Sequence, residues 1–504
     1  MKRDKGAGMD WRIRPIAARD MAPASELKRT LNATQLVLLG LASIVGTGIF
    51  ILTAEAAQRA GPGMILSFAL AATVCGAAAL CYAELASVSP VAGGGYTYAY
   101  ITVGELGAWL AAWALLAEYM LATSAIAVGW SGYVIGLMER IASQPGFAWL
   151  DLPDALTSGL FAGGLINLPA ALIVAVITGL LIIGTRVGIG FAIALLAAKL
   201  FALGLFVALA APALDLANFE PFLPLGVSGV GAAAASIFFA YLGYDTVAAA
   251  GEETRNPQRA LPIGILGSLG LATLFYMIVA ATAVGAVGAR PVLGADGEPL
   301  APGSEQFLAA CVAFGDRPPL ACSNEALASV LDAIGHERAA SVLGVIVFLA
   351  LPSAIVSTLF ALSRLFYALS RDGLLPSGFA KVSRRFGTPA RMILLAGGIS
   401  LVTSSLFSVG RLADVANAGT LFVFFMTSTG LLILRRREPS LVRPFRLPLA
   451  WLLAPLAMAG CAFLFIRLPP TTLWAFGIWL AVGVLTYLAY GRSRSQLVRR
   501  GANK

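Results

Sequence analysis

The chain has 504 residues, of which 59% are apolar and only 12% charged, against about 25% charged and about 45 to 50% apolar in an average soluble domain. It carries too little polar surface to wrap itself in water. Its basic excess, 35 Lys and Arg against 26 acidic residues, is not interleaved with aromatics as single-strand binding would want, so no nucleic-acid partner is indicated, and in an apolar chain such an excess marks cytoplasmic loops.

The first 30 residues are charged and lack an apolar core, so no cleavable signal peptide is expected and residues 1–33 read as a cytoplasmic tail. A spanning helix needs about 20 largely apolar residues. Such runs lie at about 34–58, 63–88, 104–137, 167–185, 190–211, 229–251, 263–288, 340–369, 391–409, 412–434, 449–467 and 472–490. They predict an all-α membrane protein of twelve transmembrane helices, followed by a cytoplasmic tail over 491–504. With the N-terminus inside, the inner segments hold 26 Lys and Arg and the outer ones seven, which puts both termini in the cytoplasm.

The first span reads TQLVLLGLASIVGTGIFILTAEAA, with Gly46, Thr47 and Gly48 in its centre, a run of poor helix formers. The sixth, GAAAASIFFAYLGYDTVAAAGEE, has Gly243, Tyr244 and Asp245 at its middle. Backbone freed from helical hydrogen bonds is expensive in lipid and tolerated where it lines a cavity buried in protein. Two such breaks five helices apart enter the membrane from opposite sides, so the halves 34–211 and 229–434 read as an inverted repeat with a midplane site, and 449–490 as two accessory helices. Close helix packing through the glycines is the alternative for either break alone.

The restart of helix one at Gly46, Thr47 and Gly48 offers free N–H groups and a positive dipole end, which attract a carboxylate. The stop of helix six near Phe239, Ala240 and Leu242 offers free carbonyls, which attract an ammonium. Together they suit an α-amino acid zwitterion. Asp245 reads as a cap on the restarted half-helix.

Two ionisable residues lie at comparable mid-membrane depth, Glu118 in the third span and Lys199 in the fifth. Such residues are functional candidates: Lys199 can take up and release a proton during a transport cycle, with Glu118 beside it, or the two form a structural pair.

The outer segment 289–339 holds the single histidine, His336, together with Cys311 and Cys322. The cysteines pair if the loop faces an oxidising compartment and stay as two thiols otherwise. Cys75, Cys81 and Cys461 lie in apolar runs as small hydrophobes. One histidine completes neither a metal site nor a Ser-His pair. No HExxH, GxSxG or GxxxxGK occurs, and GWSG at 129–132 lacks nucleophile spacing. No enzyme, metal or cofactor is expected.

GTGIF, GPGMILSFALAATVCGAAALCYAELASVSPVAGGGYTYAY, FFAYLGYDTVAAAGEETRNPQRALPIGI, LFYALSRDGLLP and RPFRLPL together resemble the bacterial cationic amino acid transporter subgroup of the amino acid/polyamine/organocation superfamily, over residues 26 to 490. The resemblance implies a LeuT-type fold with a five-plus-five inverted repeat, broken helices 1 and 6, and alternating access. It implies that Gly46, Thr47 and Gly48 hold the carboxylate, that carbonyls of Ile44, Phe239, Ala240 and Leu242 hold the amino group, and that Lys199 stands where relatives bind sodium, which favours proton symport. Ser43 and the eighth helix, LALPSAIVSTLFALSR, depart from the pattern near the side-chain pocket. With no acidic residue placed for a guanidinium, small or neutral L-amino acids are expected as substrates, cationic ones remaining open, and exchange of one amino acid or polyamine for another is the rival reading. The location implied is the bacterial inner membrane, among lipid. Oligomeric state and any small membrane subunit stay open.

Overall fold

A computed structural model describes residues 31–89, 94–183, 189–244, 247, 254–315, 318–376 and 390–495. Among these the chain forms helices, turns and three isolated backbone bridges, with no strand. In chain order the principal helices are α1 (Ala33–Ile44), α2 (Thr47–Ala60), α3 (Met64–Val88), α4 (Gly94–Thr102), α5 (Glu105–Ala142), α6 (Leu168–Ile183), α7 (Ile189–Ala210), α8 (Gly226–Ile237), α9 (Pro257–Val287), α10 (Glu305–Ala313), α11 (Ala326–Ala333), α12 (Glu337–Ala350), α13 (Pro352–Arg371), α14 (Ala390–Leu406), α15 (Val409–Arg437), α16 (Ala450–Ile466) and α17 (Pro470–Thr486).

Every apolar run read from the sequence overlaps one or two of these helices over its described residues. Among the described residues seven helical stretches are long and apolar enough to cross a membrane; α1, α6, α14, α16 and the stretch Gly226–Tyr241 are shorter apolar helices. The first run splits into α1 and α2, and the eighth into α12 and α13, where Pro352 begins a new helix because it has no N–H to continue the old one. Leu172, Leu394 and Trp474 are exposed on the outside of the bundle, the expected pattern where the surrounding medium is hydrocarbon.

The core is dominated by small residues that let helices approach closely. Three glycines of α5 show how. A Cβ on Gly129 would strike Ile51 of α2, one on Gly132 would lie 2.6 Å from the Asn324 carbonyl oxygen, and one on Gly136 would strike the Glu325 carboxylate. The GWSG segment is therefore a packing groove that seats α2 and the loop leading into α11.

That loop belongs to a cap formed by the described residues between α9 and α12. Cys311 and Cys322 are joined by a disulfide. Gln58 of α2 donates to the carbonyls of Val292 and Leu300 at 2.8 and 2.9 Å and accepts from the Val292 amide at 2.7 Å. Arg140 at the end of α5 pairs with Glu325 and, at 2.6 Å, with Asp332. Burial pushes the Glu325 carboxyl up to about 7, against the opposing pull of Arg140.

At the other end of the bundle, buried Glu84 of α3 pairs with Arg435 of α15 and, at 3.2 Å, with Arg443, and accepts from the Leu447 amide at 2.7 Å. The RPFRLPL segment is thus docked by its own arginine and backbone onto the one carboxylate of α3.

Candidate functional site

α1 ends at Ile44 because Val45 turns to extended backbone, φ −71° and ψ 93°. α2 restarts at Thr47, with Gly46 at its N-cap and no side chain capping it. The first N–H groups of a helix have no intrahelical acceptor and carry its positive dipole end. α8 in turn passes into a tight helical turn over Phe238–Tyr241 and opens at Leu242, φ −65° and ψ 145°. Gly243 follows at φ +117°, a conformation open to glycine and strained for other residues.

The two breaks cross in direct contact. A Cβ on Gly48 would sit 2.2 Å from Ala240 Cα, and one on Gly243 would sit 2.8 Å from the Ser43 carbonyl carbon. Glycine is required at both points because backbone meets backbone. Beside Gly46 there is room: the nearest atom to a Cβ there is Ala354 Cβ of α13, at 3.9 Å. The eighth predicted span, through α13, therefore borders the first break.

Each orphan carbonyl at these ends needs a donor. Leu41 O accepts from the Val45 amide at 2.8 Å. Ala42 O accepts from Lys199 Nζ at 3.3 Å, which sets a buried cation at the negative end of α1. The Tyr276 hydroxyl of α9 lies within hydrogen-bond reach of both Ile44 O and Ala240 O, at 2.7 and 3.0 Å. Phe239 O accepts from the Leu242 amide at 3.2 Å within the turn. Ahead of that turn, Asn417 of α15 donates to Ala235 O and Ser236 O at 2.9 and 2.7 Å.

Ile44, Gly46, Gly48 and Ala240 therefore come together, with Phe239 and Leu242 in the same turn as Ala240. Thr47 shares that backbone. Asp245 lies outside the described residues. Lys199 and Glu118 are both buried but face different neighbours: Lys199 meets α1, while Glu118 Cβ lies 3.4 Å from where a Cβ of Gly419 on α15 would be. Among the described residues no ion pair joins them.

Further along α2, Arg59 binds Glu55 through Nε and Nη2 at 2.9 and 2.6 Å and reaches Asp414 of α15 at 2.8 Å. A buried ion triad thus ties α2 to α15 beyond the break.

A family model described as amino acid permease matches residues 31–489. The chain belongs to the amino acid permease family. It is 36% identical over 477 residues to the methylthioribose transporter of Bacillus subtilis (strain 168), covering 94% of this chain and 96% of that one. It is likewise 36% identical, over 471 residues, to the branched-chain amino acid permease BcaP of the same organism, covering 94% and 95%. The vacuolar cationic amino acid transporter 2 of Arabidopsis thaliana is 33% identical over 453 residues, covering 86% of this chain and 65% of that one. The resemblance carried by the motifs holds, and the permease is a membrane transporter rather than an enzyme.

Tyr276, Asn417 and the Arg59, Glu55 and Asp414 triad were not picked out from the sequence. Glu55, Asp414 and Asn417 had a signal, being polar side chains inside predicted spans. Tyr276 had none, since one tyrosine in an apolar helix reads as core.

Proposed function

We propose that this permease imports small or neutral L-amino acids by proton symport, alternating its access across twelve transmembrane helices of LeuT-type architecture. The carrying observation is that one hydroxyl oxygen reaches the terminal carbonyls of both broken helices, Ile44 and Ala240, beside the uncapped start of α2. Two acceptors within reach of one atom suit an ammonium, and the helix N-terminus suits a carboxylate.

The pattern of helix packing supports the five-plus-five repeat. With the predicted spans numbered in order, an inverted repeat maps span n onto span n plus five. Spans 1 and 6, 2 and 7, 3 and 8, and 4 and 9 pack together, and each of these pairs maps onto itself. Span 1 packs on 7 and span 6 on 2; span 3 packs on 10 and span 8 on 5; span 1 packs on 5 and span 6 on 10. Each of these contacts has its partner under the exchange.

The two Bacillus subtilis relatives are equally similar but are named for different cargo, methylthioribose and branched-chain amino acids, so similarity alone does not choose. The charged ends of the breaks favour the zwitterion. Lys199, holding Ala42 O at the end of α1, is the coupling group in this reading, with Glu118 as a second proton-handling residue. Both termini face the cytoplasm and the membrane is the bacterial inner membrane.

The test is uptake of a panel of labelled amino acids into proteoliposomes, with and without an inward proton gradient and with and without sodium. Accumulation driven by protons and indifferent to sodium is expected. Uptake that needs substrate on the far side and ignores the gradient would instead establish exchange.

A further inference from the structure

Tyr276 is wholly buried, and its ring is packed between Phe68 and Tyr241, with centroids 5.9 and 5.5 Å away. Its hydroxyl is therefore held in place at the crossing of the two breaks. That hydroxyl has one hydrogen, yet two carbonyl oxygens lie within hydrogen-bond reach of it. The site is a donor short: a hydroxyl satisfies it in part, while an ammonium brings three N–H donors.

We propose that Tyr276 stands in for the substrate's ammonium in the unloaded permease, capping Ile44 O and Ala240 O so that the empty carrier can close and return. The inference rests on the reading that the ammonium of an amino acid meets these carbonyls. When substrate is bound, its own N–H groups supply the donors and Tyr276 is dispensable to the closed state. When substrate has left, a permease without the hydroxyl must close over bare carbonyls, and buried unsatisfied acceptors are costly. The role of Tyr276 thus falls on the half of the cycle in which nothing is carried.

Two transport modes separate these halves. Net uptake requires the empty carrier to reorient once per turnover; exchange of labelled for unlabelled substrate runs through loaded states alone. The experiment compares both modes for the wild type and Tyr276→Phe, using L-leucine in proteoliposomes made from the full-length chain. Net uptake is expected to fall by about 10-fold or more while exchange falls by no more than about 3-fold, the difference matching one uncapped buried acceptor. The retained exchange also shows that the variant is folded. Equal losses in both modes would make Tyr276 a structural or substrate-contacting residue, and unchanged net uptake would make its hydroxyl idle; either overturns the proposal. A wild type that neither accumulates nor exchanges any amino acid of the panel overturns the amino acid reading itself, and this inference with it.

Discussion

Gly48 and Ala240 belong to different broken helices, yet a Cβ on Gly48 would lie 2.2 Å from Ala240 Cα and 2.2 Å from its Cβ. No rotamer change relieves a clash with backbone, so the crossing must open if Gly48 gains a methyl. Overpacking of this kind costs about 1 to 3 kcal/mol or more. Gly48→Ala is expected to lower the melting temperature in detergent and to abolish transport, as read by thermal unfolding and uptake on the same preparation. A variant with wild-type uptake would show that the breaks do not need this approach.

The triad of Arg59, Glu55 and Asp414 gives a second prediction. Arg59 is 14% exposed and its carboxylate partners 9% and 3%. Removing the cation from a buried ionic cluster leaves uncompensated charge and costs about 3 to 5 kcal/mol, whereas replacing a whole cluster by apolar residues is often tolerated. Arg59→Ala is expected to destabilise strongly, and the triple change Arg59→Met, Glu55→Leu, Asp414→Leu to recover much of the loss. Thermal unfolding of the two variants measures this directly.

Lys199 donates to Ala42 O, two residues before the end of α1. If it carries the coupling proton, Lys199→Ala leaves the carbonyls of Ile44 and Ala240 and the start of α2 untouched while removing the charge that responds to the gradient. Proton-driven accumulation is expected to vanish while substrate still protects the protein against thermal unfolding. Accumulation at the wild-type level would remove Lys199 from the coupling role.

The sequence disclosed the breaks because Gly46, Thr47 and Gly48 are conspicuous in an apolar run, and it disclosed their pairing because spans can be counted. It did not disclose what satisfies the freed backbone. Tyr276 and Asn417 reach the broken ends from α9 and α15, and such side chain to backbone bonds depend on helix rotation, which residue type does not encode. The same holds for Glu118: its place in an apolar span, like that of Lys199, was readable, but which neighbour each faces was not. GWSG, Gly129 to Gly132, was legible only as a failed nucleophile motif, although in the fold it forms, with Gly136, the groove that receives Ile51, Asn324 and Glu325.

The cap offers a test of orientation as well as of stability. Cys311 and Cys322 close a loop of 11 residues, for which chain-entropy arguments give about 3 kcal/mol. Replacing both by Ser is expected to lower the melting temperature. In intact cells, a membrane-impermeant maleimide should label this pair only after reduction and only from outside, while buried Cys75, Cys81 and Cys461 stay unlabelled. Labelling solely in inverted vesicles would reverse the assigned topology.

Glu325 makes the cap sensitive to pH. Its carboxyl is raised from 4.5 to about 7 by burial, with Arg140 opposing and Asp332 adding to the rise. A carboxyl raised in the folded state holds its proton more tightly folded than unfolded. Its contribution to stability is therefore greatest below about pH 4.5 and declines as pH climbs to about 7, then stays level. At about 1.4 kcal/mol per unit the decline is a few kcal/mol at most. Glu325→Gln keeps the shape and removes the titration, so its melting temperature is expected to fall less than that of the wild type between pH 5 and pH 7. Arg140→Ala removes the opposing pull and should steepen the wild-type decline. Parallel melting curves for wild type and Glu325→Gln across that range would show that another group carries the dependence.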